Sequence, residues 1–316
     1  MRTREEQITR LALRRREQLG GMSDAAYQEL LAAVRENPAR FVDCPEEEAF
    51  AKVVEAVERY DDACVDDDLL DDDQFMAART KRLARMRRDC EQALAIDPAC
   101  LDARLLAELA QDLDADALLG RLADLANDAP VAADGDAWDD VFLRPALRVR
   151  AAIGRSCIDA SCFRLAVTTS EELLAVAPSD ALGARHTAAL AYARLEDEDG
   201  FAGLEARYPR GSSWERLAHT LLLYKLGRLG AARRALRGYS SLVRGGAYAL
   251  LKPVLVDTYM PDRPELETFS FEEATLAVHE ADPIVVDVPD FIAWCEAQDG
   301  IKAAAERFAS STGLDW

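Results

Sequence analysis

The chain has 316 residues, of which 50% are hydrophobic and 30% are charged, and its 58 acids against 38 bases give a formal net charge of -20 at pH 7. This balance is typical of a folded protein and excludes a disordered tail protein, while the negative charge disfavours a duplex-DNA binder. No apolar run reaches the roughly 18 residues that a membrane span requires. We therefore expect a protein whose partners are neither nucleic acids nor membranes.

The cysteines and the N-terminus both predict a cytoplasmic protein. The N-terminal residues are charged throughout and contain no apolar stretch of signal-peptide length. The seven cysteines form an odd set without any CxxC pair, which disfavours a disulfide scaffold and a structural zinc site. We expect these thiols to be reduced and mostly buried.

The first predicted region, residues 1–75, is helical and ends in an acidic segment. Residues 43–75 contain fourteen acids and two bases, whereas residues 79–88 contain six bases. Opposite charges within a Debye length of about 10 Å attract each other. We therefore expect the two stretches to form a helical hairpin that neutralises its own charge. The alternative is that the basic stretch 79–88 binds RNA or the ribosome.

Further along the chain, two stretches have the layout of paired antiparallel helices. They are residues 147–180 and 213–246, each 34 residues long. Gly154 and Ala166 in the first stretch, and Ala232 in the second, stand where two helices cross. Helix axes that are about 8–10 Å apart leave room only for small side chains at such a crossing. This spacing predicts helical hairpins and an all-α fold.

The sequence LYKLGRLGAARRAL is the strongest repeat motif, and in it Gly227 turns the chain between two helices. This motif, the earlier ALAIDP and the 147–180 stretch resemble the tetratricopeptide repeat family. The order of the elements is also similar to bacterial relatives of the suppressor-of-tumorigenicity proteins. The resemblance covers about residues 88–106 and 147–246. It implies a helical-hairpin solenoid over residues 76–260, whose concave face binds peptides or partner proteins.

The C-terminal region, residues 261–316, departs from the repeat pattern and is predicted to be a helical cap. Ser270 followed by Glu273 has the spacing of a capping box, which predicts a helix that runs to about Glu280. The apolar run at residues 284–288 lies between two prolines, so we expect an extended connector there.

Aromatic residues of this region, including Phe291 and Trp294, are expected to pack on the last repeat. An open array needs such a cover for its final apolar face. The terminal residues 314–316 are either an exposed anchor for a partner or a tether that folds back on the chain.

The candidate binding surface follows from the helical period of the repeats. The residues that it places on the concave side are Arg148, Arg155, Arg185, Tyr192, Trp214 and Tyr224. Arginines on one wall of an acidic protein would hold the carboxylates of an acidic peptide, and the aromatic rings would supply contact area. The alternative is that the arginines pair with acids of the chain itself while Trp214 and Tyr224 pack in the core.

The sequence contains no catalytic or metal-binding signature. His186, His219 and His279 are far apart, and no GxSxG motif or glycine-rich phosphate loop occurs. The acidic runs 66–68 and 71–73 lack the glycine and the closing glutamate of a calcium-binding loop. We therefore predict no metal, no cofactor and no enzymatic activity. The predicted function is a protein-interaction scaffold, and the alternative is an RNA- or ribosome-associated factor.

Overall fold

The computed structural model describes residues 2–65, 67, 70–127, 129, 131, 134–257 and 259–316. Over these residues the chain is all-α, as predicted, with sixteen α-helices and no strand. None of the helices in this described part is both long enough and apolar enough to cross a membrane. The chain divides into two compact units, which we describe separately.

The first unit consists of Met1–Ala152, Val176–Ala181 and Tyr259–Asp262. Its helices are α1 (Arg2–Gln18), α2 (Asp24–Glu36), α3 (Pro45–Ala63), α4 (Asp72–Ile96), α5 (Leu101–Leu109), α6 (Ala115–Asn127) and the first part of α7 (Arg144–Asp159). The predicted three-part division of the chain stays a prediction, and its first limit, between residues 75 and 76, falls within α4.

Helices α3 and α4 pack against each other as the predicted hairpin. Phe50 and Val53 of α3 and Leu83 and Met86 of α4 are buried in one core cluster. The apolar stripe of each helix is thus covered by the other, which is the main reason that an amphipathic helix is stable in a folded chain.

Charges of this hairpin are partly neutralised within the first unit. Arg82 donates to Asp67 through both terminal nitrogens, at 2.7 and 2.8 Å. Arg79 donates to Asp112 at 2.8 Å. Arg85 Nε lies 3.9 Å from Asp89. Three bases of the stretch 79–88 therefore have acidic partners in the chain itself, while Asp66 and Asp68 of the predicted acidic segment lie outside the described residues.

The second unit consists of Ile153–Ala175, Leu182–Thr258 and Arg263–Trp316. Besides the end of α7, its helices are α8 (Phe163–Val176), α9 (Ala184–Leu195), α10 (Glu198–Arg207), α11 (Ser213–Lys225), α12 (Leu229–Leu242), α13 (Gly246–Leu251), α14 (Phe271–Val285), α15 (Phe291–Glu296) and α16 (Ile301–Thr312). Successive helices form the hairpins α9–α10 and α11–α12, and α11 also packs against α9 and α14.

The small residues predicted at helix crossings are buried. Ala166 and Ala232 are both fully buried. A Cβ added at Gly154 would stand 3.4 Å from Ser170 Oγ, so this helix face is in close contact with α8. Gly227 has φ +70° in the turn between α11 and α12, a conformation that glycine adopts at little cost. Local sequence therefore specifies both the crossing points and the turn.

Helix α14 begins where the sequence predicts but ends later. The Ser270 side chain accepts a hydrogen bond from Glu273 N at 3.1 Å, as a capping residue does. The expected end near Glu280 and the extended connector at 284–288 are wrong, because α14 continues to Val285 with Pro283 inside it. Proline is tolerated there because Ile284 is fully buried, so tertiary packing offsets the lost backbone hydrogen bond.

The C-terminal helices cover other helices of the second unit. Phe291 and Trp294 have ring centroids 5.3 and 4.9 Å from that of Tyr224 on α11. The end of the chain folds back, since Tyr248 Oη donates to the Asp315 carbonyl oxygen at 2.9 Å and the Trp316 ring lies 6.3 Å from Tyr248. Of the two alternatives for the terminal residues, the structure has the tether.

We expect Tyr239→Phe to leave the free energy of unfolding unchanged or to raise it by about 1 kcal/mol. Tyr239 is fully buried, burial raises its pKa, and its hydroxyl has no hydrogen-bond partner among the described residues. An unsatisfied buried hydroxyl costs its desolvation energy. The matched control is Tyr192→Phe, which removes a donor to Glu171 at 2.8 Å and should lower stability by about 1 kcal/mol. Scanning calorimetry measures both, and an equal loss in the two variants would contradict the prediction.

Candidate functional site

Arg148, the first predicted site residue, lies inside the first unit with only 1% of its surface exposed. Its Nη2 is 2.5 Å from Glu6 Oε2 and its Nη1 is 3.2 Å from Asp102 Oδ1. Its Nε is 2.8 Å from Asp262 Oδ1. The guanidinium thus joins α1, α5, α7 and the segment Tyr259–Asp262, and all its nitrogens face acids of the same chain.

The burial of this ion cluster shifts the pKa of Arg148 and of Asp102. Burial opposes the charge of Arg148, but Asp262, Asp102 and Glu6 raise its pKa well above the usual value. Burial raises the pKa of Asp102, and the negative charges of Glu6 and Asp262 raise it further. The positive charge of Arg148 lowers it, but only in part. Arg148 is therefore a permanently charged structural residue of the first unit.

The aromatic residues predicted at the site pack inside the second unit. Tyr192 and Trp214 are buried, and Trp214 Nε1 donates to Glu280 at 2.6 Å. Tyr224 is half-buried against the rings of the C-terminal cap. A helical projection identifies one side of a helix but not whether that side faces solvent. For this reason Arg148, Tyr192 and Trp214 lie in the interior rather than on the open face that the projection suggested.

The two remaining predicted residues are nearer the surface of the second unit. Arg155 is half-buried. The side chain of Arg185 is 28% exposed, with Nε 3.6 Å from Glu215 Oε1 and the guanidinium 5.4 Å from the Tyr208 ring. Arg185 therefore lies beside an acid of the same unit, as the alternative from the sequence describes.

A buried polar cluster near Trp214 has the residue types of a hydrolase triad without its geometry. His186 Nδ1 is 2.9 Å from Glu215 Oε1 and 3.2 Å from Ser212 Oγ, and its ring stacks on Trp214 at 4.2 Å. In a triad, the nucleophile and the acid contact different ring nitrogens. Here they share one nitrogen, and all the members are buried, so Ser212 is not activated for attack on a substrate.

The charge of Glu215 is strongly stabilised in this cluster. Burial on its own raises the pKa of Glu215, but His186, with help from Ser212 and Arg185, lowers it to about 2. The buried carboxylate lies within hydrogen-bond distance of His186 and Ser212. The cluster therefore fixes the start of α11 relative to α9.

A groove with a volume of about 480 Å³ runs along α11 and α12 in the second unit. We call it the α11–α12 groove, and its lining residues are Arg216, His219, Leu223, Ala231, Arg234, Ala235, Gly238, Tyr239 and Leu242. We call its small and apolar residues the floor and its two arginines the rim. The side of α12 that carries Ala231, Ala235 and Gly238 lies next to the side that Ala232 and Leu236 bury.

The two arginines of the groove have no acidic partner among the described residues. Arg234 is exposed and Arg216 is half-buried, and the buried Nε of Arg216 has no hydrogen-bond partner there. Nearby, Arg237 lies 3.6 Å from Asp299, while Arg233 Nε donates at 2.8 Å to Gln298, which is neutral. The groove therefore has two uncompensated positive charges on a chain whose net charge is -20.

The other polar groups at the groove come from α11 and α10. His219 Nδ1 lies 4.0 Å from Glu205 Oε1, and the His219 ring is 5.4 Å from Phe201. Glu205 therefore lies beside His219. The sequence predicts the buried face of the LGAARRAL stretch, whereas the groove lies on the side next to that face, which no motif marks.

A second hollow, in the first unit, has a mixed charge. Its charged residues are Arg15, Arg40, Glu36 and Asp43. The two bases and two acids balance one another, so the electrostatic potential favours neither an acidic nor a basic ligand. The α11–α12 groove is thus the stronger candidate for a specific partner.

No protein-family model, curated protein or solved structure matches this chain. The resemblance to the tetratricopeptide repeat family therefore stays a prediction from the motifs of the sequence.

We expect Arg148→Ala to lower the free energy of unfolding of the first unit by about 3–5 kcal/mol, because it leaves three carboxylates without their buried cation. Hydrogen-exchange mass spectrometry on peptides of α1 and α5 measures the change within this unit. The control is Arg85→Ala, whose side chain is 61% exposed and lies 3.9 Å from Asp89, and which should change stability by less than about 0.5 kcal/mol. Equal protection in the two variants would contradict a structural role for Arg148.

We expect ionised Glu215 to stabilise the second unit by about 3 kcal/mol at about pH 5, and this contribution to disappear toward pH 2. The folded-state pKa of about 2 lies below the usual 4.5, so the stabilisation is present above the usual pKa and is lost as the pH falls through the folded one. Urea unfolding of the wild type and of Glu215→Gln at several pH values tests this prediction. The exposed Glu198→Gln is the control, with a small and nearly pH-independent effect. A constant difference between the wild type and Glu215→Gln would refute the prediction.

Proposed function

We propose that the chain is a non-enzymatic protein-interaction scaffold of tetratricopeptide-like hairpins, and that the α11–α12 groove is the surface that binds the partner. The observation that carries the proposal is the pair Arg216 and Arg234, which lie uncompensated beside an apolar floor. Guanidinium groups form strong hydrogen bonds with carboxylates. The expected partner is an acidic segment of another protein.

The overall charge of the chain makes this site selective. A net charge of -20 repels an acidic partner at long range, but salt screens that repulsion beyond about 10 Å. Once a carboxylate reaches the groove, the nearest charges are those of Arg216 and Arg234. A partner therefore needs apolar contacts with the floor as well as acids, and acidic chains without such contacts bind weakly.

The apolar lining supplies the contact area that such a partner needs. Leu242 is 48% exposed, and Leu223 is buried at the floor. An exposed leucine on its own has no particular meaning, but a patch with a basic rim is typical of an interaction site.

Other features of the chain support this function over the alternatives. The buried Ser212, His186 and Glu215 cluster lacks the arrangement of a catalytic triad. The RNA-binding alternative relies on the stretch 79–88, of which Arg79, Arg82 and Arg85 lie beside acids of the first unit. These pairs lower the positive potential that an RNA backbone would meet.

We expect the double variant Arg216→Glu, Arg234→Glu to reduce retention of the partner by at least about tenfold, because it replaces two attractive contacts with carboxylates by repulsive ones. The measurement is quantitative affinity capture from an extract of the cells that make the protein, with the purified chain as bait. The matched control is Arg233→Glu, Arg237→Glu, which changes the net charge equally at two positions of α12 outside the groove lining.

Proteins retained by the wild type and the control but lost from the groove variant would support the proposal. Equal retention by all three baits would assign binding to another surface. A wild-type bait that retains nothing above the bare resin would contradict the scaffold function. Circular dichroism of each variant ensures that the fold is unchanged.

A further inference from the structure

We infer that the α11–α12 groove binds an amphipathic α-helix of the partner protein, with an apolar stripe of small and medium side chains flanked by Asp and Glu. This inference rests on the proposed function and specifies the conformation and chemistry of the ligand. It follows from the small residues of the floor, the hydrogen bonding of the backbone in α11 and α12, and the positions of the two arginines.

The floor of the groove on α12 is a line of small residues. Ala231, Ala235 and Gly238 are spaced by four and three residues, so they lie on one side of the helix. A second helix approaches such a line to about 8–10 Å between axes because no long side chain stands in the way. The groove therefore has the form that a packed helix requires.

Gly238 leaves the C-terminal end of this line open. A Cβ added at Gly238 would meet no atom within 4 Å apart from its own helix and chain neighbours. Its φ is not in the positive range that would require glycine. Glycine inside a helix is unfavourable relative to alanine, so neither the backbone nor the packing within the chain accounts for it. Close approach of another backbone is a reason for glycine at such a position.

The backbone of the groove favours a helical ligand over an extended one. Within α11 and α12 the main-chain groups are bonded to each other, so these helices offer no free row of donors and acceptors to a peptide. An extended peptide on the apolar floor would bury its own N–H and C=O groups without partners, which is costly. An α-helix satisfies these groups internally and presents only side chains.

The two arginines and the two leucines of the groove determine the sequence pattern of the ligand. Arg216 lies on α11 and Arg234 on α12, so acids are required on both flanks of the apolar stripe. Leu223 and Leu242 offer apolar contacts on the same two helices. The expected ligand has apolar residues at i, i+3 or i+4, and i+7, with acids beside them.

The test is selection from a random library of about 16-residue peptides, or roughly four helical turns, against the wild-type chain. The variant Gly238→Leu serves as the counter-selection, because it places a larger side chain in the groove lining at a position where an added Cβ meets no atom within 4 Å. Enriched peptides are then synthesised with a fluorophore, and their binding is measured by anisotropy. The matched control is Gly230→Leu, since Gly230 lies on the same helix with open space around its Cα but outside the groove lining.

We expect the enriched sequences to have acids and apolar residues at helical spacing, and to become helical when they bind. Their affinity for Gly238→Leu should be at least about tenfold lower than for the wild type, while Gly230→Leu binds like the wild type. Enriched peptides that contain proline at their centre or lack acids would overturn the inference, and so would an absence of peptides that discriminate against Gly238→Leu. Sedimentation of the chain alone tests whether a second copy of the chain occupies the groove. A dimer that Gly238→Leu dissociates would assign the groove to that second copy and overturn the inference.

The outcome is separable from that of the proposed function. If the charge reversal at Arg216 and Arg234 abolishes capture of a partner but the library yields no helical acidic peptide, the scaffold function stands and the helical ligand is wrong. If neither the capture nor the library depends on the groove, both fail.

Discussion

The second unit depends on the burial of α11. This helix packs against α9, α12 and α14, so most of its surface is covered by other helices. Its polar residues are consequently placed inside the unit and need partners there: Ser213 donates to Glu273 at 2.5 Å, and Glu215 contacts His186. The side of α11 that these helices leave uncovered carries Arg216 and His219. The groove is thus a consequence of how the core is built.

The first unit also contains buried polar groups that need partners inside it, and its central group is the charged Arg148. Arg148 is surrounded by Glu6, Asp102 and Asp262, which come from three separate segments. A buried ion network is not in itself more stable than well-packed apolar side chains, but removal of one member is costly. Its contribution is specificity: a misplaced segment would leave a carboxylate or the guanidinium without its partner.

The presence of an acidic partner in the chain distinguishes the structural arginines Arg82 and Arg148 from the candidate functional ones. Arg82 and Arg148 face acids of the chain within hydrogen-bond distance. Arg216 and Arg234 lie at an apolar groove and have no such acid among the described residues. Two such arginines beside an apolar surface form a site where a carboxylate from another molecule can bind. A ligand that supplied carboxylates would complete the pattern seen at the other sites.

The sequence by itself determined the features that depend on neighbouring residues. The all-α class, the α3–α4 hairpin, the turn at Gly227 and the start of α14 at Ser270 follow from helical periodicity, the opposite charges of neighbouring stretches, glycine conformation and capping, which act over short stretches of sequence. The tertiary structure decided which helix faces are covered. Trp214 is buried because helices from distant parts of the chain cover it, whereas Arg234 lies on a side of α12 that they leave exposed. Helix α14 continues through Pro283 because it packs into the core. Periodicity gives each helix two faces, and only the packing of distant segments determines which of the two remains open to a partner.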